Sequence, residues 1–143
     1  MSSETNKAIV QRYYDQVWNN GRLDLVEEYI AEDFHEDNGP NIPGLNGRDA
    51  LKAIIGGIRA SLPDFQITLH DVVAEGDKVV TRSTFTATHQ GELFGVPATG
   101  KQLSVSGSAI FCLENARIVQ LWNFNDNLSM MQQLGVVPMP EAA

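Results

Sequence analysis

The chain has 143 residues, 43% of them hydrophobic, and a formal net charge of −8 at pH 7. This length predicts one folded domain over residues 1–143. The negative charge argues against nucleic acid and membrane partners, because both attract proteins through basic side chains. The single cysteine, Cys112, excludes an intramolecular disulfide. The polar N-terminus lacks the apolar stretch of a signal peptide, so we expect a cytoplasmic protein.

Three helices are predicted in the first half of the chain. Their apolar residues recur at three- and four-residue spacing, which is typical of a helix with one face against a core. The predicted helices cover residues 3–20, 23–30 and 51–62. An irregular stretch rich in glycine and proline, Phe34 to Gly47, separates the second helix from the third. Pro63 ends the third helix.

After Pro63 the apolar residues alternate with polar ones, which indicates strands that are half buried. The predicted strands cover residues 65–70, 79–89, 103–113 and 117–125, and a short helix follows at 128–134. Helices first and antiparallel strands second predict an α+β fold. We expect a cone-shaped α+β barrel, in which the three N-terminal helices pack against a curved, mostly antiparallel sheet and enclose a pocket.

Acid–base chemistry in such a pocket needs a group whose pKa lies near the working pH. Asp126 follows the last strand, where it either enters the pocket as an acid and base or caps the closing helix. His35, beside Glu36 and Asp37, is either a proton donor at the pocket mouth or a solvated surface residue. The three histidines of the chain are far apart and show no ligand spacing, so we predict no metal site.

Several aromatic residues either line a pocket suited to a flat ligand or simply belong to the core. They are Tyr13, Tyr14, Trp18, Phe85 and Trp122. His89 ends a strand rich in threonine and serine, and we predict that it lies at the rim of the pocket.

Five segments of the chain, taken in their order and spacing, resemble one known family. They are Tyr13–Gly21, Leu62–Phe65, Ala74–Val80, Thr88–Gly100 and Trp122–Gly135. Together they are similar to the SnoaL-like polyketide cyclases and ester cyclase-like proteins of the nuclear transport factor 2-like superfamily. The resemblance implies a homodimer of cone-shaped subunits. It also implies aldol-type ring closure without a metal or an organic cofactor.

The resemblance assigns pocket positions as well. The catalytic aspartate of these cyclases corresponds to Asn123 here, and an amide cannot act as a general base. The pattern Trp122-x-x-x-Asp126, found in many relatives, points to Asp126. Four further pocket positions are apolar or small in this chain, which implies an apolar ligand. They are Trp18, Ile54, Gly107 and Ala109.

Three hypotheses for function follow. The first is a cofactor-free cyclase, isomerase or lyase that acts on a small apolar carbonyl compound, with Asp126 or His35 moving the proton and Asn123 with Trp122 positioning the substrate. The second is a non-catalytic module that binds a small molecule, which Asn123 favours. The third is a hydrolase resembling the epoxide hydrolases of the superfamily. Such a hydrolase needs an Asp–Arg–Asp arrangement around a water, and only Arg82 with Asp71 or Asp126 offers parts of it.

Overall fold

The computed structural model describes residues 2–39 and 42–139, and it confirms the α+β fold. The helical segments are α1 (Ser3–Tyr13), a π-helical turn that continues it (Tyr14–Asn19), a 3-10 turn (Leu23–Leu25), α2 (Val26–Tyr29), α3 (Gly47–Ser61) and α4 (Asn127–Gln133). The strands are β1 (Ile30–Glu36), β2 (Gln66–Glu75), β3 (Lys78–Thr88), β4 (Gln102–Glu114) and β5 (Arg117–Asn125). Within the described residues, no helix is long and apolar enough to cross a membrane.

The strands form one mixed sheet in the order β1-β5-β4-β3-β2. The four strands from β2 to β5 pair antiparallel, and β1 pairs parallel with β5. The register shifts between Leu69 and Asp71 in β2 and between Cys112 and Leu113 in β4. Such irregularities increase the local twist and bend of a strand. The curved sheet therefore has a concave face, which packs against α1, α3 and α4, and a convex face on the opposite side.

The strand β1 corrects two predictions from the sequence. The second helix ends at Tyr29, and the chain from Ile30 to Glu36 is a strand rather than helix and irregular loop. Its partner is β5, with Ile30 opposite Ile118 and Glu36 opposite Leu121. The two strands are distant in the sequence, so local periodicity gives no sign of the pairing that fixes this segment.

The side chains of the concave face and the helices form two apolar clusters. Members of the first include Tyr13, Val17, Ile55, Phe111 and Ile118. Members of the second include Leu62, Phe65, Leu103, Met130 and Leu134. Trp18 and Ile67 pack against both clusters. A cavity remains where the clusters meet, and side chains from both of them line it.

Candidate functional site

The cavity between the helices and the concave face has a volume of about 310 Å³. Most of its wall is apolar, and aromatic side chains contribute a large part of it. They are Tyr13, Tyr14, Trp18, Phe65, Phe85, Phe94 and Phe111. The ring centroids of Trp18 and Phe65 are 5.2 Å apart, and those of Phe65 and Phe85 are 5.0 Å apart in a stacked arrangement. Contacts of this kind favour a flat, apolar ligand.

Polar side chains enter the cavity mainly from the ends of β1 and β5. They are Glu36, Asn38, Asn123, Asn125 and Asn127, together with Ser83 from β3. Among the described residues that line the cavity, Glu36 is the one with a charged side chain. An apolar wall with a few convergent polar groups is the usual composition of a small-molecule site.

Glu36 reaches the cavity because of its place in β1. Side chains alternate between the faces of a strand, so Glu36 lies on the same side as the buried Phe34, while His35 faces away. Burial raises the pKa of the Glu36 carboxyl group. Gly39 makes room for this carboxyl group, because a Cβ atom there would lie 2.6 Å from Glu36 Oε2. A carboxyl group with a raised pKa can act as an acid and a base closer to neutral pH.

Tyr14 lies in the π-helical turn after α1, in the wall of the same cavity. Only 8% of its surface is exposed. Burial, reinforced by the negative charge of Glu36, raises the pKa of Tyr14 to about 12. The phenol is therefore protonated at neutral pH and can donate a hydrogen bond. Trp18 belongs to the same turn, and its indole Nε1 donates to the Tyr13 hydroxyl at 3.1 Å.

Asn38 holds the main chain of Asn123 through two hydrogen bonds. The Asn38 Nδ2 donates to the carbonyl oxygen of Asn123 at 2.7 Å, and the Asn123 N–H donates to Asn38 Oδ1 at 2.9 Å. The side chain of Asn38 thus extends the pairing of β1 and β5 beyond the end of β1. Asn123 stands opposite Ala109, whose small side chain leaves space beside it on the concave face. The Asn123 amide consequently lines the cavity while its main chain is held in place.

Most of the residues predicted for the pocket lie in its wall or directly behind it. Those that line the cavity in the structure are Tyr14, Trp18, Ile54, Phe85 and Asn123. Gly107 and Ala109 lie on the concave face opposite Asn125 and Asn123, behind the lining side chains. A Cβ atom on Gly107 would collide with the side-chain oxygen of Asn125. Gly107 therefore determines where the Asn125 amide sits.

The structure places both predicted proton carriers outside the cavity. Asp126 is exposed, and its carboxylate accepts a hydrogen bond of 3.0 Å from the Ser129 N–H as the N-cap of α4. Of the two interpretations of Asp126, an acid and base in the pocket or a helix cap, the structure agrees with the helix cap. The His35 side chain is 60% exposed, and its Nε2 lies 3.1 Å from Asp37 Oδ1. Neither side chain converges with Asn123 on the cavity.

Two further pocket residues lie elsewhere than predicted. Trp122 stands opposite Ile110 on the convex face, because it alternates with the inward-facing Leu121 and Asn123. His89 is fully buried rather than at a rim, and its Nδ1 accepts from the Thr99 N–H at 3.2 Å. This bond ties together the two ends of the loop between β3 and β4.

The side chains considered for a hydrolase do not surround the cavity either. Arg82 Nε donates to Asp71 Oδ2 at 2.6 Å, and both side chains are more than half exposed. Arg82 alternates with the buried Thr81 and Ser83, so the pair lies on the convex face. The sheet separates it from the cavity.

Comparison with known proteins agrees with this architecture. The family model of the SnoaL-like polyketide cyclases matches residues 8–134. The chain belongs to the SnoaL-like polyketide cyclase family. TsrD from Streptomyces laurentii has a TM-score of 0.86 at 27% identity, with 96% of this chain and 99% of TsrD covered. No curated protein matches the chain by sequence.

Two other solved structures are similar at 30% identity. IdmH from Streptomyces antibioticus has a TM-score of 0.77, with 92% of this chain and 99% of IdmH covered. A candidate polyketide cyclase from Acidithiobacillus ferrooxidans has a TM-score of 0.81, with 94% of this chain and 98% of that chain covered. The SnoaL-like fold with helices against a curved sheet is thus shared along nearly the whole chain.

The carboxyl group that lines the cavity lies on β1 and not on β5. The amide of Asn123 occupies the position assigned to the catalytic aspartate, and the carboxyl group in the cavity comes from Glu36 in β1. Reasoning from the sequence missed Glu36 because it assigned the segment to an irregular stretch. The alternation of Phe34 and Glu36 around His35 was the available signal, since a strand there points Glu36 to the core.

Proposed function

We propose that the cavity binds a small apolar carbonyl compound and that Glu36 removes a proton from the carbon next to the carbonyl group. The observation that carries the proposal is a carboxyl group, with a pKa raised by burial, in a cavity wall that is otherwise apolar or neutral. Proton abstraction of this kind belongs to cyclases, isomerases and lyases, and it uses only side chains of the chain.

In the proposed reaction, the Glu36 carboxylate takes the proton, and the electrons of the C–H bond move onto the carbonyl oxygen. The Tyr14 hydroxyl and the Asn123 amide donate hydrogen bonds to the resulting enolate oxygen. The enolate then follows one of two routes. If it is conjugated with a carbon–carbon double bond, Glu36 returns the proton to the far carbon of that bond; otherwise the enolate carbon attacks a second carbonyl group of the same molecule. In the second case the proton passes from Glu36 to the new alkoxide.

Exchange of hydrogen for deuterium next to a carbonyl group tests this chemistry without knowledge of the natural substrate. We expect the protein to accelerate the exchange of deuterium from D₂O into 1-tetralone, and proton NMR measures the rate of this exchange. The Glu36→Gln variant should lose roughly 10²–10⁴-fold in rate, since that is the usual contribution of a general base. Glu32→Gln is a matched control, because Glu32 is an exposed carboxylate on the same strand. Equal rates for the Glu36→Gln variant and the unchanged protein would reject Glu36 as the base.

A second candidate is a ligand-binding protein without turnover. The observation favouring it is that Asp126 and His35 both lie outside the cavity, while Asn123 cannot transfer protons. This alternative predicts no protein-dependent exchange. It also predicts that a ligand copurified with the protein is recovered chemically unchanged after prolonged incubation.

We further propose that the chain forms a homodimer across the convex face of the sheet. Three apolar side chains support this proposal, because they are exposed there: Val73 at 63%, Val80 at 39% and Phe124 at 54%. A shared apolar surface of this kind is typical of interfaces between identical subunits.

We propose a cytoplasmic location for the dimer, since the free thiol of Cys112 suits a reducing compartment.

A further inference from the structure

Phe94 lies where the cavity meets solvent. The residue lines the cavity, and yet 66% of its surface is exposed. The neighbouring Leu93, in contrast, is buried among the apolar side chains of the second cluster. An exposed phenylalanine forgoes the stabilisation that burial of its ring would give. Packing within the chain therefore does not explain a phenylalanine at this position.

The main chain at Phe94 is also unfavourable for a phenylalanine. Phe94 and Gly95 form a two-residue turn, which is closed by hydrogen bonds of 3.0 Å and 2.9 Å between the main chains of Leu93 and Val96. The φ angles of the two turn residues are 50° and 79°. A two-residue turn with positive φ at both positions favours asparagine, aspartate or glycine at the first of them. A bulky side chain there is strained.

The two-residue turns between the paired strands have the residues that this rule expects. The turn between β2 and β3 has Gly76 at its first position, with a φ angle of 59°. The turn between β4 and β5 has Asn115 at its first position, with a φ angle of 50°. Phe94 adopts the same angle as Asn115 without a small or polar side chain. Such strain persists mainly at functional sites, where another interaction offsets it.

The base of the loop that carries Phe94 is anchored to the end of α3. The N–H groups of Gln90 and Gly91 both donate to the main-chain oxygen of Ser61 at 3.0 Å. The Ser61 hydroxyl donates to the main-chain oxygen of Glu92. A Cβ atom on Gly91 would lie 3.1 Å from Ser61 Cα, so the loop and the helix are in close contact. These contacts fix the position of the turn at the edge of the cavity.

We infer that Phe94 is a ligand-contacting residue, whose ring covers the outer side of an apolar ligand bound in the cavity. The contact with the ligand offsets the exposure and the strain of the residue. This role rests on the proposed function in that the cavity binds a ligand, but it does not require proton transfer by Glu36. A side chain suited to the turn should therefore stabilise the free protein and weaken the binding of ligand.

Thermal unfolding without ligand tests the first of these two effects. Phe94→Asn should melt about 2–4 °C above the unchanged protein, because asparagine tolerates the positive φ and the lost ring was mostly exposed. Phe94→Tyr keeps both the ring and the strain, so it should show no such rise. If Phe94→Asn melted at or below the temperature of the unchanged protein, the inference would be wrong.

Binding of N-phenyl-1-naphthylamine, an uncharged aromatic probe whose fluorescence rises in apolar surroundings, tests the second effect. We expect saturable binding to the unchanged protein and at least tenfold weaker binding to Phe94→Asn, since burial of roughly 60 Å² of apolar surface corresponds to a factor of ten. Acrylamide should also quench the probe more readily in Phe94→Asn, because the outer side of the probe is then open to water. Phe94→Tyr should restore most of the affinity.

Val136→Asn is the matched control for the loss of exposed apolar surface. Val136 is 49% exposed and lies outside the cavity wall, so its replacement should leave the affinity for the probe unchanged. Equal affinity of Phe94→Asn and the unchanged protein would overturn the inference. An equal loss in Val136→Asn, or no saturable binding to the unchanged protein, would overturn it as well.

The role of Phe94 and the proposed chemistry can fail independently. If the probe binds as expected but the protein accelerates no exchange in 1-tetralone, the chemistry is wrong and the role of Phe94 stands. If exchange depends on Glu36 but Phe94→Asn binds the probe as tightly as the unchanged protein, the chemistry stands and the role of Phe94 is wrong.

Discussion

Replacement of Asn38 by alanine tests how the end of β5 is held. The substitution removes the hydrogen bonds of 2.7 Å and 2.9 Å that join the Asn38 side chain to the main chain of Asn123. Each such bond contributes about 0.5–1.5 kcal/mol to stability. Because Asn38 is exposed and water can replace part of the loss, we expect the lower half of the combined range, about 1–2 kcal/mol.

Chemical and thermal unfolding measure this effect. For a chain of this length, the expected loss lowers the melting temperature by about 3–8 °C. Asn46→Ala is a control, since Asn46 is exposed and its side chain makes no capping hydrogen bond.

The reasoning is refuted if Asn38→Ala unfolds at the same urea concentration and temperature as the unchanged protein. It is also refuted if the control Asn46→Ala loses as much stability as Asn38→Ala. If Asn38→Ala loses stability while the dependence of the free energy of unfolding on urea concentration keeps its slope, the substitution affects the native contact and not the unfolded chain.

Three further substitutions follow from the structure. Burial raises the pKa of Glu36, so the unchanged protein loses stability as the pH rises from the ordinary glutamate range through that raised value. The Glu36→Gln variant should therefore be more stable than the unchanged protein near pH 8, and this advantage should disappear near pH 4. If the stability advantage of Glu36→Gln, measured by urea unfolding, grew as the pH fell, this prediction would be wrong. Gly107→Ala should destabilise the fold by about 1 kcal/mol, because its Cβ would lie 3.0 Å from the main-chain oxygen of Phe124 as well as against the flexible Asn125 side chain, whereas Gly57→Ala, with open space around it, should not. Phe124→Lys should convert the proposed dimer to a monomer in sedimentation, and an unchanged mass would argue against the convex-face interface.

Local patterns in the sequence were sufficient for most of the fold. The apolar period of α3 and the alternation in β2 to β5 come from residues close together in the chain, and each element buries the face that its own period marks. Local capping chemistry was readable as well, since Ser2 accepts a hydrogen bond from the Thr5 N–H at the start of α1. The family resemblance followed from the same local segments.

Only the tertiary structure decided which side chains meet in the cavity. Glu36 enters it because β1 pairs with β5, a strand more than eighty residues away in the chain, and Trp122 leaves it because that pairing turns Asn123 inward. A carboxylate near an apolar segment has the same local pattern whether it becomes a helix cap, as Asp126 does, or a half-buried acid in a cavity, as Glu36 does. Burial depends on the packing of distant elements, and the pKa of a carboxyl group follows its burial. The sequence by itself therefore determined the family and every strand except β1, whereas the pairing of β1 with β5 determined which carboxyl group lies in the cavity.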